Sequence, residues 1–292
     1  MLLIKRVNKE GIKGIMRGKR KKAILTIVLI LVTLVMIFPL LWVVILSFKT
    51  SAQIFSEPFI LPKRFDLTNY IKVFKVMNLS ILYKNTAIIG FFSVTLSIII
   101  TFMSSFSLSR MVFKHKKLKD YLYNYFLLGL TIPPMILLFP VYRLTVSMHL
   151  FGTYLSLILP YTAMNIAFNT LLFVGFFNDF PGEVEEAAII DGCGLRRLCT
   201  TVVAPMAKPI ISTVLIFNVL YIWNEYPFAS VLISNTEKYT IPMGSAFFKG
   251  MFSMDYGGLI ASSVIIMVPQ LIFYGIFQRY IVGGMTAGAV KG

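Results

Sequence analysis

Residues 183–205 read EVEEAAIIDGCGLRRLCTTVVAP and hold three glutamates, an aspartate, two arginines and both cysteines of the chain. Several chemistries use such side chains, and their spacing here excludes most of them. Cys193 and Cys199 are six positions apart and make no C-x-x-C pair, so they are expected to be small reduced side chains. His115 lies in a lysine-rich loop and His149 in a short loop, neither with a carboxylate or cysteine at metal-ligand spacing. A nucleotide cradle of the form G-x-x-x-x-G-K-[ST] is absent, because Gly18-Lys19 runs into Arg20 and lacks the upstream glycine. Paired aspartates, a Ser/His pair or H-E-x-x-H would mark an intramembrane protease, and none is visible. No catalytic residue, metal ligand or cofactor site is therefore expected.

The elements that must position this polar stretch are apolar. The chain has 292 residues, 57% hydrophobic and only 14% charged, with a mean hydropathy of +0.80. Soluble domains carry about 25% charged residues, so this surface needs a bilayer. A crossing takes roughly 20 apolar residues, and six windows qualify: Ala23–Phe48, Asn85–Ser109, Tyr121–Tyr142, Thr153–Phe177, Pro209 to Leu232, and Tyr256–Gln278. The first is too long for a cleavable signal and reads as a signal anchor. The fold class expected is an all-α polytopic membrane protein with six transmembrane helices. An even number of crossings puts both termini on one side.

Charge sets the orientation. The net charge is +16, which in a soluble protein would suggest nucleic acid. Here the positive-inside rule is the better account. Residues 1–22, the 110–119 loop, the 178–208 loop and the tail after Gln278 hold 19 of the 28 basic residues, which places both termini in the cytoplasm. Glu225 is the one acid inside a window. It falls sixteen residues beyond Pro209, about 24 Å along a helix, near the outer interface. A hydrogen-bonding role suits that depth better than a proton relay. Asn165, Asn169, Asn218 and Trp223 are candidates to face a pathway, but such residues more often bond helix to helix. Prolines at 39, 133, 134, 140, 160, 205, 209 and 269 bend or break the spans. Outside the windows, Leu67, Tyr70, Ile71 and Phe74 share one face of a short helix that Asp66 or Thr68 can cap.

The polar stretch itself reads as two helices and a turn. Pro181 suits a first turn, and Glu183, Glu185 and Glu186 favour the positive end of the helix dipole. Val184, Ala187, Ala188 and Asp191 are expected on one face, and Gly192 is expected to end the helix at positive φ. A second helix follows, with Leu195, Leu198, Cys199 and Val202 on its apolar face. The product is a helix–glycine–helix elbow. It is either a polar loop on the membrane or a docking knob that transmits force.

Glu186-Ala187-Ala188, Gly192 after three residues, and Val202 and Pro205 at the further spacing resemble the EAA motif of permease subunits of binding-protein-dependent ABC importers of type I. Val202 and Ala204 stand where the motif has Ile and Leu. LPKRFDLTNYIKVF, Lys84-Asn85-Thr86, Trp223-Asn224-Glu225-Tyr226 and FQRYIVGGMTAGAVKG are similar to segments of the smaller maltose-type sugar permeases, so the likeness covers nearly the whole chain.

The resemblance implies the type I permease fold, a place in a bacterial cell membrane, and no cofactor of its own. It implies a second, different permease subunit, two ATPase subunits, an extracellular solute-binding protein and a carbohydrate substrate. It makes Glu185, Glu186, Ala187, Ala188, Asp191 and Gly192 the coupling helix that enters a cleft of an ATPase. The tail after Gly283 would also reach the ATPases, and external loop 234–258 the binding protein. It divides the chain into a basic tail (1–22), a first helix (23–48), an external loop (49–81), a permease domain (82–277) with coupling loop 181–205, and a C-terminal tail (278–292). No residue is assigned to the sugar. The rival readings are a self-contained carrier, for which no mid-membrane ion site is seen, and an intramembrane enzyme.

Overall fold

The structure, a computed structural model, describes the backbone over residues 2–179, 181–250 and 253–286. Side chains are described over 21–278, apart from residues 116, 180, 251 and 252. The side chains of the basic tail up to residue 20, and those of the C-terminal tail from residue 279 onward, lie outside the described residues. The helices are α1 (Leu2–Leu46), α2 (Ser51–Ser56), α3 (Thr68–Val76), α4 (Leu79–Arg110), α5 (Lys116–Leu128), α6 (Pro134–Ser147), α7 (Leu155–Asp179), α8 (Glu183–Ile190), α9 (Leu195–Met206), α10 (Lys208–Asn224), α11 (Pro227–Leu232) and α12 (Tyr256–Thr286). A 3₁₀ stretch covers Ile241–Phe248, and no extended strand occurs among the described residues.

Among the described residues, four helices are long and apolar enough to cross a membrane: Lys21–Leu46, Leu79–Arg110, Leu155–Asp179 and Tyr256–Gln278. The pair α9 and α10, bent by 77°, makes a fifth if taken as one span. The bend has a local cause. Pro209 has no N–H for the carbonyl of Pro205, and Ala207 between them turns to ψ 3°. The window 121–142, read above as one span, is instead two shorter helices, α5 and α6. Pro133 and Pro134 cannot continue the ladder, and a residue before proline is pushed out of the helical region. Gly129 closes α5 where it abuts α7: a Cβ there would lie 2.9 Å from the Ala167 Cβ.

The chain forms two compact units. The larger comprises residues 74–249 and 265–292. Its centre is the pairing of α4 with α7, on which α10 also packs. Ser93, Ser97, Thr101 and Ser105 form a buried stripe of small side chains along α4, letting helix backbones approach closely. Their hydroxyls need partners in a dry interior. Ser97 and Thr101 donate to carbonyls of their own helix, and the Ser97 hydroxyl also accepts from Asn218 Nδ2 at 3.2 Å across the α4–α10 contact. Towards the α8 end, Phe102, Phe106, Phe173 and Phe177 meet mostly edge to face, with centroids 5.6–5.7 Å apart. They form one apolar cluster with Leu198, Val203, Ala207, Ile210 and Val214. A second cluster, around Ile89, Leu157, Tyr161 and Phe228, fills the other end.

The smaller unit comprises residues 1–73 and 250–264. The apolar part of α1 is exposed up to Leu41, as a helix facing hydrocarbon would be, and partly buried from Trp42 to Leu46. Where α1 ends, its last carbonyls are satisfied by side chains of α3: Asn69 Nδ2 donates to the carbonyls of Ser47 and Lys49, each at 2.8 Å, and Tyr70 meets the Ser47 hydroxyl at 2.6 Å. Lys49 is only 2% exposed, and its ammonium donates to the Glu57 carbonyl at 2.6 Å. These bonds decide how α3 sits. Asn69, Tyr70 and Val73 face inward while Leu67, Ile71 and Phe74 stay exposed. The apolar stripe read above thus points away from the protein, apart from Tyr70. Asp66 is the residue that caps α3, accepting from the Thr68 amide at 2.9 Å.

Asp255 caps α12. It accepts from the Gly258 amide at 3.2 Å and from Ser51, and it pairs with Lys72. Burial opposes its ionisation, but the Lys72 bond, the Gly258 amide, the Lys72 charge and the Ser51 hydroxyl outweigh it and hold its pKa below the ordinary 3.8. A carboxylate depressed on folding stabilises the fold above its unfolded pKa, and that stability is lost as pH falls through the folded value. Asp255→Ala is expected to cost about 1 kcal/mol, as for a lost N-cap. Amide hydrogen exchange at Gly258 should accelerate in the variant at neutral pH. The difference from wild type should vanish as the pH is lowered below the usual carboxylate range.

Candidate functional site

The elbow is built on α8. The chain leaves α7, passes Pro181 two residues ahead of the helix, and starts α8 after Gly182, whose carbonyl accepts from the Glu186 amide at 2.9 Å. Glu183, Glu185 and Glu186 occupy the first turn, where the helix dipole favours acids. The end of α8 is a Schellman turn. The Cys193 amide bonds the Ala188 carbonyl at 2.9 Å, the Gly192 amide bonds the Ile189 carbonyl at 3.0 Å, and Gly192 takes φ +77°. The space around Gly192 is open, so the requirement for glycine there is one of backbone conformation alone.

The two faces of α8 differ sharply. On the inner face Glu185 is 6% exposed, and Arg110 Nε, at the last residue of α4, lies 3.0 Å from both of its carboxylate oxygens. Ala188 packs on the phenylalanine cluster beside it, as do the half-buried Cys193 and Cys199. On the outer face Glu183, Glu186, Ala187, Asp191 and Gly192 are exposed, and Ile190 is 85% exposed. Of the six residues assigned above, the structure therefore sets two, Glu185 and Ala188, against the helices. The other four, Glu186, Ala187, Asp191 and Gly192, face outward. Ala188 leaves the face expected for it with Val184, Ala187 and Asp191, because the ion pair at Glu185 turns that side of the helix inward.

The second arm of the elbow is α9. Its residues 198–203 form a π-helical stretch, which takes up one extra residue per turn. The extra residue shifts the buried set. Leu198 and Val203 are buried, Val202 is only partly so, and Leu195 is exposed. An α-helical count had placed Leu195 and Val202 on the inner face.

Glu225 ends a helix rather than lining a relay. Its carboxylate accepts from the Phe228 amide at 2.7 Å and the Ala229 amide at 3.1 Å, capping α11, and it also accepts the Tyr161 hydroxyl of α7. Three donors converge on one buried carboxylate at the break between α10 and α11. Its neighbours are likewise engaged: Trp223 Nε1 donates to the Ile266 carbonyl at 3.2 Å, and the Lys249 ammonium lies over the Tyr226 ring. Asn218 bonds Ser97, as noted. Asn165 Nδ2 and both polar atoms of the Asn169 amide are buried without a partner among the described residues. His115 and His149 are both exposed. Arg110 and Tyr161 are the residues a reading of the sequence passes over. Arg110 showed there only as the first charge after a long apolar window, and Tyr161 only as one apolar residue of a span.

A multi-pass helical membrane protein carrying a two-faced elbow is the class these features define. The chain belongs to the family described as binding-protein-dependent transport system inner membrane component, which matches residues 93–286. It is thus an inner-membrane transport permease component and not itself catalytic. The diacetylchitobiose uptake system permease protein of Streptomyces coelicolor is 33% identical, covering 94% of this chain and 90% of its own length. The trehalose/maltose transport system permease protein of Thermococcus litoralis is 29% identical over 93% of this chain and 98% of its own. A chain of a bacterial ABC transporter involved in the import of the acidic polysaccharide alginate shares the fold, with a TM-score of 0.72 at 22% identity, covering 90% of this chain and 98% of that one.

Removing one partner of a buried ion pair strands the other. Arg110→Ala should loosen α8 from α4 by about 3 kcal/mol, read as faster amide exchange across α8 with α7 unchanged. Arg110→Lys should recover only part of the protection, because a point charge replaces a fork.

Proposed function

We propose that this chain is one of two transmembrane subunits of an ATP-driven ABC importer. It takes a sugar or oligosaccharide from an extracellular solute-binding protein and passes it across the membrane by alternating access. ATP is hydrolysed on separate subunits, which this chain meets through α8. The observation that carries the reading is the asymmetry of that helix. A lever needs one face fixed to the moving load and one face free for the motor. The Arg110–Glu185 pair and Ala188 supply the first. Glu186, Ala187 and Ile190 supply the second, an exposed apolar patch rimmed by acids. Movement of the tip would pass into α4, α7 and α10, which share one aromatic core with it. A carbohydrate cargo is supported by the uptake systems to which the relatives belong.

In this reading the chain crosses six times, with α5 and α6 together making the third crossing and α9, α10 and α11 the fifth. Both termini and α8 lie in the cytoplasm, as the excess of basic residues on that side favours. Residues 82–277 form the permease domain, with 49–81 and 234–258 outside, the latter toward the binding protein. The tail after Gly283 reaches toward the ATPases.

The chain should co-purify with an ATPase subunit and a second permease subunit, and liposomes holding all components should take up sugar only with ATP and the binding protein. Uptake by liposomes holding this chain alone would contradict the proposal. Glu186→Lys and Gly192→Pro should each reduce uptake to background while membrane insertion is unchanged. The first reverses one of the three acidic charges on the free face, and the second forbids positive φ and removes an amide that bonds Ile189. Gly192→Ala, with open space around it, should be milder, costing about 1 kcal/mol of local stability.

A further inference from the structure

Beside the elbow the structure leaves a basic cavity and an apolar trough that run into one another. The basic cavity, about 500 Å³, is lined by Gly194, Leu195, Arg196, Arg197 and Thr200. The trough, about 620 Å³, lies between α4 and α9, with Ile98, Phe102, Met103, Met111, Ala204 and Ile211 among its walls. Leu195, Arg196 and Thr200 belong to both. One end of the combined site is cationic and the other is hydrocarbon.

The cations are uncommitted. Glu185, the buried acid of α8, is engaged by Arg110. Arg196 and Arg197 are exposed, and neither has an ion pair or a side-chain hydrogen bond among the described residues. The Thr200 hydroxyl donates to the Arg196 carbonyl at 2.9 Å, which fixes it at the junction of the two cavities. The trough walls Ile99 and Met103 are more than half exposed, in a chain that lives in a bilayer.

We propose that this is a binding site for an anionic phospholipid, with the headgroup phosphate between the guanidinium groups of Arg196 and Arg197 and an acyl chain in the trough. A planar guanidinium holds a phosphate by paired hydrogen bonds, and basic groups at the membrane surface attract anionic lipids. An acyl chain removes the trough from water or from a loosely packed interface. A zwitterionic lipid fills the trough equally but leaves the two arginines without a net negative partner, so selectivity resides in the headgroup. The bound lipid would sit against α9, the second arm of the elbow, steadying it where it enters the bend at Ala207.

The test uses the assembled transporter in nanodiscs of phosphatidylglycerol and phosphatidylcholine in equal parts, released into the gas phase for native mass spectrometry. The wild type should retain phosphatidylglycerol in preference to phosphatidylcholine. R196Q/R197Q should lower that retention roughly thirtyfold, each arginine contributing about fivefold near an anionic surface, and R196K/R197K should keep most of it. Thr200→Trp, which fills the junction, should lower retention of both lipids. Equal retention of the two lipids by the wild type, or unchanged selectivity in R196Q/R197Q, would overturn the proposal. A benzophenone amino acid at position 200 gives a second reading that needs no loss of binding. Its cross-link to lipid supports the site, and a cross-link to another protein subunit instead of lipid overturns it.

Discussion

A carboxylate cannot stay buried and charged without a partner, and the junction where α4, α7 and α8 meet is arranged around that constraint. Glu185 is buried, so Arg110 must come to it, and Arg110 is the last residue of a 32-residue helix. The short α8 is thereby pinned to the end of α4. The phenylalanine cluster then packs against the pinned face, and Ala188 is small enough to let it. Everything on the opposite face follows by rotation: with Glu185 inside, Glu186, Ala187 and Ile190 are outside. An ion pair of this kind adds less to overall stability than its strength suggests, because both groups lose water. What it fixes is the orientation of α8.

The same logic recurs at the far end of the larger unit. Where α10 breaks, the amides opening α11 have no helical partner, and Phe228 and Ala229 are buried away from water. Glu225 supplies the acceptor and is held in turn by Tyr161 from α7. Both ends of the α4–α7–α10 core thus use one buried carboxylate to tie a helix break to a neighbouring helix. Between them the core is largely apolar, with hydroxyls such as Ser97 and Thr101 bonded to their own helix and three buried asparagines, of which Asn218 bonds Ser97. A body stiff at both ends can turn a push at one end into a displacement at the other.

How much of this could be read in the chain depended on whether the cause was local. Gly192 was legible, because a residue tolerating positive φ ends a helix that way, and it sits four positions past two alanines. The spans at α4, α7 and α12 were legible from charge-free runs of sufficient length. The third window was not, because Pro133-Pro134 and the tight approach of Gly129 to Ala167 break a run whose composition stays apolar throughout. The sequence left open which way the stripe on α3 faces, and Ala188 of α8 and Leu195 and Val202 of α9 lie off the faces expected for them. Asn69, Arg110 and the π-helical stretch each override a count of apolar spacing, through a bond to a distant carbonyl, an ion pair spanning 75 positions, or an inserted residue. Such long-range partners leave no trace in one sequence. The EAA spacing drew attention to the elbow, but it does not separate the residues held against the helices, Glu185 and Ala188, from those that face outward.

The central claim is that α8 moves as one body with α4 while its outer face engages another subunit. Paired spin labels at position 103, exposed on α4, and position 190, in a chain whose two cysteines are replaced by serine, measure this directly in the assembled transporter. The account predicts one narrow distance distribution that does not shift between nucleotide-free and ATP-bound states, together with loss of solvent access at the label on 190. A distance that changes with nucleotide, or a label on 190 that stays in water throughout the cycle, would contradict it.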